Sequence, residues 1–372
     1  MNDKLYKVFF GCLLVQQSFG QPTSVALDSI LMSSTDTIAI KKITFNGYPY
    51  VFYTPETQAA FGGGGILLFY TKKNEKLRPS KVGFGAHYTT NKQYKFTLNN
   101  SIYFKENKIV IQAPLSFGYT EDKFWGVGNR TSDTGTETYF REDFKAQIEL
   151  QVPPLLFFAD RTGFILEYNK TDILDAQENE YLNNEEVIGF NGGNLFGMGF
   201  NLVWDRRDNI FYPSSGHYQC IKFIVYPEPS DFVFTSLVMD VRYYKKIFKN
   251  QVVATNFYFS GVSANAPFYK LPALGGQSRM RGYFEGRYRA NNYVLLQSEY
   301  RQYLTKKIGF VAFAGLGDVA TEITDLGIKY LKYSFGGGLR YLFNKKENVN
   351  LRMDIGIGKD GAGIYFGIEE AF

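Results

Sequence analysis

Near the end of the chain, NVNLRMDIGIG alternates without a break. Val349, Leu351, Met353, Ile355 and Ile357 fall on one face, and Asn350, Arg352, Asp354, Gly356 and Gly358 on the other. A period of two belongs to an extended strand, and a strand with one apolar and one polar face separates two environments. The closing stretch GAGIYFGIEEAF repeats the scheme, with Ile364, Phe366, Ile368 and Phe372 in phase. Read back along the chain, the pattern predicts strands at 362–372, 347–358, 330–343, 307–319 and 291–304, all after an arginine-rich loop. It predicts eleven more before that loop, at 249–262, 231–247, 214–227, 193–206, 158–171, 136–152, 107–119, 92–105, 80–91, 57–72 and 42–53. The first of these in the chain, 42–53, carries Gly47 and Pro49 and fits a seam-side strand.

The connections sort by length. NKKE (344–347), TKK (305–307), FKN (248–250) and KEN (105–107) are short and fall at one end, whereas 120–135, 172–192 and 263–290 are long and fall at the other. Short turns at one end and long loops at the other, with an even strand number, are the signature of an outer-membrane barrel. The fold class expected is all-β, a 16-stranded antiparallel transmembrane β-barrel.

Composition agrees. Of 372 residues, 35 are Phe and 28 are Tyr, and 37 are Gly, yet mean hydropathy is only -0.22. No mature stretch reaches the ~18 consecutive apolar residues of a membrane-crossing helix, so a helical membrane protein is excluded. At the start, Lys4 and Lys7 precede an apolar run from Val8 to Val15, and Ser18 and Gly20 follow as small residues before a cut near Gln21. Residues 1–20 therefore read as a secretory signal peptide. Residues 21–41 read as a short periplasmic segment, too small for an independent domain, and 42–372 as the barrel with its loop at 263–290. Cys12 leaves with the signal, and Cys220 is left without an intrachain partner. The formal net charge of +5 falls by one when Asp3, Lys4 and Lys7 are removed, too mild a balance for a nucleic-acid partner.

Positive charge concentrates in GGQSRMRGYFEGRY (275–288). With Arg289, four arginines (Arg279, Arg281, Arg287, Arg289) face a single nearby acid, Glu285. By charge alone the loop reads equally as a solvated surface. Gly275, Gly276, Gly282 and Gly286 favour a loop folded inward against a wall, because glycine permits close approach and sharp reversal. On the strand that follows, Gln297, Glu299 and Arg301 share the face opposite Val294, Leu296, Ser298 and Tyr300. Glu299 is thus expected to face the lumen, where a guanidinium can meet it in a charge-assisted pair.

Gly275 and Gly276, Ser278 and the run Met280, Arg281, Gly282, Tyr283, followed by SEYR, resemble the inward-folded lid loop and adjoining strand of the BamA/TamA superfamily of outer-membrane assembly barrels, also called the bacterial surface antigen family. WDRRDNIFYPSSGHY (204–218) is similar to that family's Asp-Arg-Asp, Pro, Gly hairpin. YTPETQAAFGGG (53–64) and FWGVGN (124–129) resemble segments of its short forms, LRMDIGIGKD with EEAF resembles its closing strands, and the likeness spans most of 40–372. The resemblance implies that Arg281 is the lid arginine, that Gly282 and Tyr283 complete its turn, that Glu299 is its wall partner, and that Phe372 is a terminal aromatic assembly signal. It implies a bacterial outer-membrane location, a role in inserting or translocating proteins, and as partners the outer-membrane lipid, unfolded barrel clients and a separate periplasmic or outer-membrane assembly partner. Two departures stand out. The family's F-x-D-x-G strand has Gly315 in place of its Asp, with Asp318 at the opposite parity, and the residues ahead of the barrel are too few for periplasmic docking domains.

Two other classes compete. An enzyme would need a histidine with a serine or an acid, but His87 lies within a strand and His217, beside Ser214 and Ser215, in a hairpin of structural character. No metal spacing appears, and the glycines at 62–65 go with a strand rather than lead into a helix, so no phosphate loop, cofactor or catalytic residue is expected. The acidic stretch 171–186 reads as a solvated outer loop. A passive pore or structural barrel is the alternative, since a wall of this size can enclose water unless it is plugged.

Overall fold

The computed structural model describes residues 43–54, 58–71, 77–132, 137–155, 158–174, 182 and 187–372. The expected signal at 1–20 and segment at 21–41 lie outside the described residues, as does most of the acidic stretch 171–186.

In chain order the strands are β1 (Thr44–Thr54), β2 (Gln58–Phe69), β3 (Ser80–Thr89), β4 (Tyr94–Phe104), β5 (Ile109–Gln112), β6 (Leu115–Phe124), β7 (Glu137–Val152), β8 (Arg161–Leu174), β9 (Gly192–Asp205), β10 (Gly216–Tyr226), β11 (Phe234–Phe248), β12 (Gln251–Val262), β13 (Ala273–Leu274), β14 (Tyr288–Arg289), β15 (Asn292–Tyr303), β16 (Ile308–Ala320), β17 (Lys332–Asn344), β18 (Val349–Gly358) and β19 (Gly361–Ile368). Seventeen of them form one sheet of antiparallel neighbours, and β13 and β14 form a separate hairpin. β5 and β6 each sit between β4 and β7, so they share one position in the wall.

The sequence reading takes 107–119 as one strand, and the structure interrupts it at Ala113 and Pro114. Proline lacks the N–H that a ladder needs. Asn100 of β4 repairs the gap: its Nδ2 donates to the Ala113 carbonyl at 2.7 Å, and its Oδ1 accepts the Ala113 N–H at 2.8 Å. A second difference lies at the other end. β19 stops at Ile368, Glu369 turns with φ +68°, and Ala371 and Phe372 pack on Tyr244 and Ala254. Phe372 therefore leaves the outer apolar row in which the alternation had placed it.

Burial runs inside out, as it must when lipid covers the outside and protein fills the inside. On β18, Ile355 and Ile357 are exposed while Asn350, Arg352 and Asp354 are buried. Phe164 and Leu166 on β8, Met198 and Phe200 on β9, and Phe335 and Leu339 on β17 are likewise exposed. Towards the long-loop end of β4, β6 and β7, Tyr94, Tyr119 and Phe140 stack in a row, with centroids 6.2 and 5.3 Å apart, as aromatic girdles do at a bilayer interface. β1 and β19 share no hydrogen-bonded ladder among the described residues.

The turn between β9 and β10, at the short-turn end, folds inward and floors the lumen. Phe211 at its tip packs on Ile66 and Leu68 of β2 and on Val349 of β18, near the opposite side of the wall. Asp208 holds the turn by accepting the backbone N–H groups of Asn209, Ser214 and Ser215 at 2.9, 2.8 and 3.1 Å. Asn209 Oδ1 accepts those of Phe211 and Tyr212, and Asn209 Nδ2 donates to the Glu347 carbonyl at 3.2 Å. Phe211→Ala should therefore cost about 3 kcal/mol of barrel stability, the usual penalty for emptying a buried aromatic site, read as a lower urea midpoint of the folded barrel in detergent. An unchanged midpoint would show that the floor is not coupled to the wall.

Candidate functional site: the lid and its anchor in the lumen

The lid leaves the wall after β12 and returns to it at β15. Its neck is the β13/β14 hairpin, in which Ala273 faces Arg289 and Leu274 faces Tyr288. Gly275 and Gly276, with φ of +116° and +95°, bend the chain away from the hairpin, and the Gly276 N–H donates to the Tyr283 carbonyl at 3.2 Å. The Ser278 carbonyl accepts from Gln297 Nε2 at 3.0 Å, which fixes the descending limb to β15. At the tip, Arg281 is 1% exposed.

Around the Arg281 guanidinium the wall supplies two carboxylates and a ring. Nη2 donates to Glu299 Oε1 on β15, and Nη1 to Asp354 Oδ2 on β18 at 2.6 Å. Cζ lies 3.6 Å from the centre of the Phe313 ring on β16, a cation–π position. Neither carboxylate serves Arg281 alone. Glu299 also accepts from Arg301 Nε at 2.8 Å, and Asp354 from Arg340 Nη1 at 2.5 Å and Arg352 Nη1 at 3.0 Å. Arg340 and Arg301 continue to the last residues of the chain: Arg340 Nε donates to Glu370 at 2.7 Å, and Arg301 Nη2 to the Phe372 carbonyl at 2.9 Å. Four guanidiniums and three carboxylates thus share one buried patch. Apolar residues of equal volume are often no less stable than a buried charge network, so this patch is weak evidence for net stability, and what its geometry specifies is where the Arg281 guanidinium sits.

Glycines make that position accessible. Gly282 has φ +113°, and a Cβ there would stand 2.5 Å from the carbonyl carbon of Ile357. On the facing strand, a Cβ at Gly356 would meet the Arg281 carbonyl carbon at 2.5 Å, and one at Gly358 the Tyr283 ring at 2.5 Å. The lid backbone therefore lies flat on β18. The Gly282 N–H donates to Tyr365 Oη on β19 at 2.8 Å, and Tyr283 Oη donates to the Tyr333 carbonyl on β17 at 2.8 Å. Four residues of lid tip reach five successive strands, β15 to β19.

The structure brings Arg281 and Glu299 together, with Gly282 and Tyr283 beside them, and separates the other arginines. Arg279 lies over the Tyr258 ring at 3.6 Å, Arg287 bonds Thr131, and Arg289 donates to the Lys123 carbonyl at 3.2 Å. The 124–129 loop docks on the neck, with the Gly128 N–H donating to the Arg289 carbonyl at 2.8 Å. Asp318 takes no part in the anchor: it accepts from Asn129 Nδ2 at 3.4 Å and from the Gly327 N–H at 3.2 Å. Phe372 sits inside the barrel near the anchor, where its ring centre is 5.4 Å from Arg301 Cζ. Of the histidines, His87 lies on β3 and His217 at the start of β10, while Ser214 Oγ donates to Asp208.

Asp354 is the partner that sequence reasoning missed, although its inward parity was visible. Its position explains Gly315. A Cβ at Gly315 would meet Gln297 Cβ at 3.2 Å and Met280 Sδ at 3.3 Å, so the side chain of Met280 occupies the space an acid would need. Gly315→Asp is accordingly expected to loosen the lid rather than tighten it, by about 1–3 kcal/mol of overpacking and charge burial. Faster trypsin cleavage within 275–289 would show this, and slower cleavage would contradict it.

Comparison with known proteins fits this geometry. Residues 61–372 match the Omp85 superfamily domain. Among solved structures, BamA from Haemophilus ducreyi lacking POTRA domains 1-3 superposes with a TM-score of 0.55 at 14% identity, covering 88% of this chain and 69% of that one. CdiB from Acinetobacter baumannii gives a TM-score of 0.55 at 12% identity, covering 88% of this chain and 60% of the other. No curated protein matches. With a family domain spanning most of its length and a barrel of the same fold as these two, the chain is a bacterial outer-membrane β-barrel that belongs to the Omp85 superfamily.

Proposed function

We propose that this barrel aids the insertion or translocation of proteins at the outer membrane, and that the lid, held by the Arg281 to Glu299 contact, is the part that must move for it to do so. The observation that carries the reading is the anchor itself. A fixed plug needs no more than apolar packing, whereas a cation shared between two carboxylates that keep other arginine partners can leave and return without stranding a charge. Tyr365 ties the lid tip to β19, so release of the lid also frees a hydrogen bond on the last strand. Clients on this reading are unfolded barrel proteins, supplied with the help of a separate periplasmic or outer-membrane partner. No catalytic step is proposed.

Reconstitution in liposomes tests it. The wild-type barrel should accelerate folding of an unfolded barrel client over protein-free liposomes, and Arg281→Ala should change that rate. A barrel that gives an ion leak without accelerating the client would sink the proposal in favour of a passive pore.

A further inference from the structure

A cavity lies at the long-loop end, away from the lid anchor. Its volume is about 440 Å³, and it is walled by the 129–132 loop, Arg287 and Tyr288 of the lid neck, the end of the β16–β17 loop with Lys332, and the β18–β19 turn. Arg130, Arg287, Lys329, Lys332 and Lys359 line it, against one lining carboxylate among the described residues, Asp360. Two of these cations form a buried floor: Arg287 is 4% and Lys332 7% exposed. Arg287 is held by Thr131 Oγ1 at 2.8 Å and the Thr131 carbonyl at 3.1 Å, with Asp360 Oδ2 at 3.4 Å from its Nε. Lys332 Nζ donates to the carbonyls of Asn129 and Tyr330 at 2.9 and 2.8 Å, and lies 4.3 Å from the Tyr288 ring centre. Neutral carbonyls and a ring position Lys332, Arg287 shares Asp360, and five cations against that one carboxylate leave the lining net positive. The rim adds Lys329 and Lys359, exposed, and Arg130, whose Cζ lies 3.8 Å from the Tyr330 ring centre.

We propose that this cavity binds a phosphate monoester carried on a sugar-sized group. Five cations arranged in three dimensions match an anion whose oxygens point in several directions, and a guanidinium beside ammonium groups is the usual phosphate cradle. The volume exceeds that of a bare phosphate and suits a small ligand. Two sources can supply it: a soluble sugar phosphate, or the phosphorylated headgroup of a lipid in the outer leaflet. Ile323 and Ile328, 59% and 89% exposed on the same loop as Lys329, offer an apolar contact that the lipid source would use. Since Arg287 and Tyr288 belong to the lid neck, an occupied site would clamp the lid root to three outer connections.

Trp125 reports on the site, its ring centre being 5.5 Å from Arg287 Cζ. In a Trp204→Phe background, Trp125 fluorescence of the purified barrel would be followed in two arms, one with glucose 1-phosphate and the other in nanodiscs of phosphatidylcholine with increasing lipopolysaccharide. A saturable change is expected in at least one arm, with a midpoint shifted at least tenfold in the rim variant Lys329→Ala/Lys359→Ala and in Lys332→Gln. Saturation with the soluble probe assigns a soluble ligand, and saturation confined to the nanodisc arm assigns the lipid. The proposal is overturned by a flat response in both arms, by an equal response to sodium chloride at matched ionic strength, or by an unshifted midpoint in the rim variant. The rim lysines are exposed, so that variant tests the site without disturbing the fold.

Discussion

Arg281→Ala is expected to release the lid while the barrel stays folded. Breaking a buried ion pair by removing one partner ordinarily costs about 3–5 kcal/mol, because the other charge is left buried and alone. Here neither wall carboxylate is left alone: Glu299 keeps Arg301, and Asp354 keeps Arg340 and Arg352. The loss therefore falls on the lid, which gives up two charge-assisted bonds and the contact with Phe313. About 2–3 kcal/mol of docking free energy is at stake, or about a 30- to 150-fold rise in the fraction of lids undocked at any moment. Limited trypsin digestion at Arg279 and Arg287 should accelerate by that order, and ion conductance in planar bilayers should rise with it, while the urea midpoint of the barrel changes little. Arg281→Met keeps most of the volume and should behave like alanine. Arg281→Lys should recover less than half of the effect, because a single ammonium cannot fork between two carboxylates. Wild-type cleavage rates in the alanine variant would remove the lid from the mechanism.

How much of this was legible in the sequence follows from which interactions are local. Alternation is local, so β7, β8, β9, β12 and β15 to β18 fall within about three residues of the reading. The break at Ala113 and Pro114 was less visible, because it depends on a side chain of the neighbouring strand, Asn100, that supplies the missing ladder bonds. At the C-terminal end, the alternation of β19 continued formally to Phe372, yet the chain turns inward at Glu369. Tyr244, Ala254 and Arg301 make the inner position favourable, and they lie on β11, β12 and β15, far away in sequence. The site divides in the same way. Glu299 follows from strand parity on the strand next to the lid, whereas Asp354 shares that parity three strands on, where register rather than pattern decides which residues meet. A signal for it existed: an acid flanked by Arg352 and two glycines on the inner face of β18 is a place where a cation and a close backbone approach are both accommodated.

The largest loss of barrel stability is expected from Asp354→Asn. Asp354 is fully buried and accepts from Arg281, Arg340 and Arg352, the first on the lid and the others on two adjacent strands. The amide keeps one acceptor oxygen and turns an NH2 group toward guanidiniums that cannot accept it. Four buried arginines would then share Glu299 and Glu370 alone. This is the uncompensated case that Arg281→Ala avoids, so the full penalty of about 3–5 kcal/mol applies, and it applies to the wall. Glu299→Gln should cost less, because two arginines rather than three depend on it. Adding Arg340→Met to Asp354→Asn should restore part of the loss by removing one stranded charge, a coupling that independent sites would not show. Urea midpoints of the four proteins, read by the mobility shift of the folded barrel in unboiled gels, decide it. Should Glu299→Gln prove the more damaging, or the double variant fall below Asp354→Asn, then Asp354 is not the residue on which the lumen charges converge.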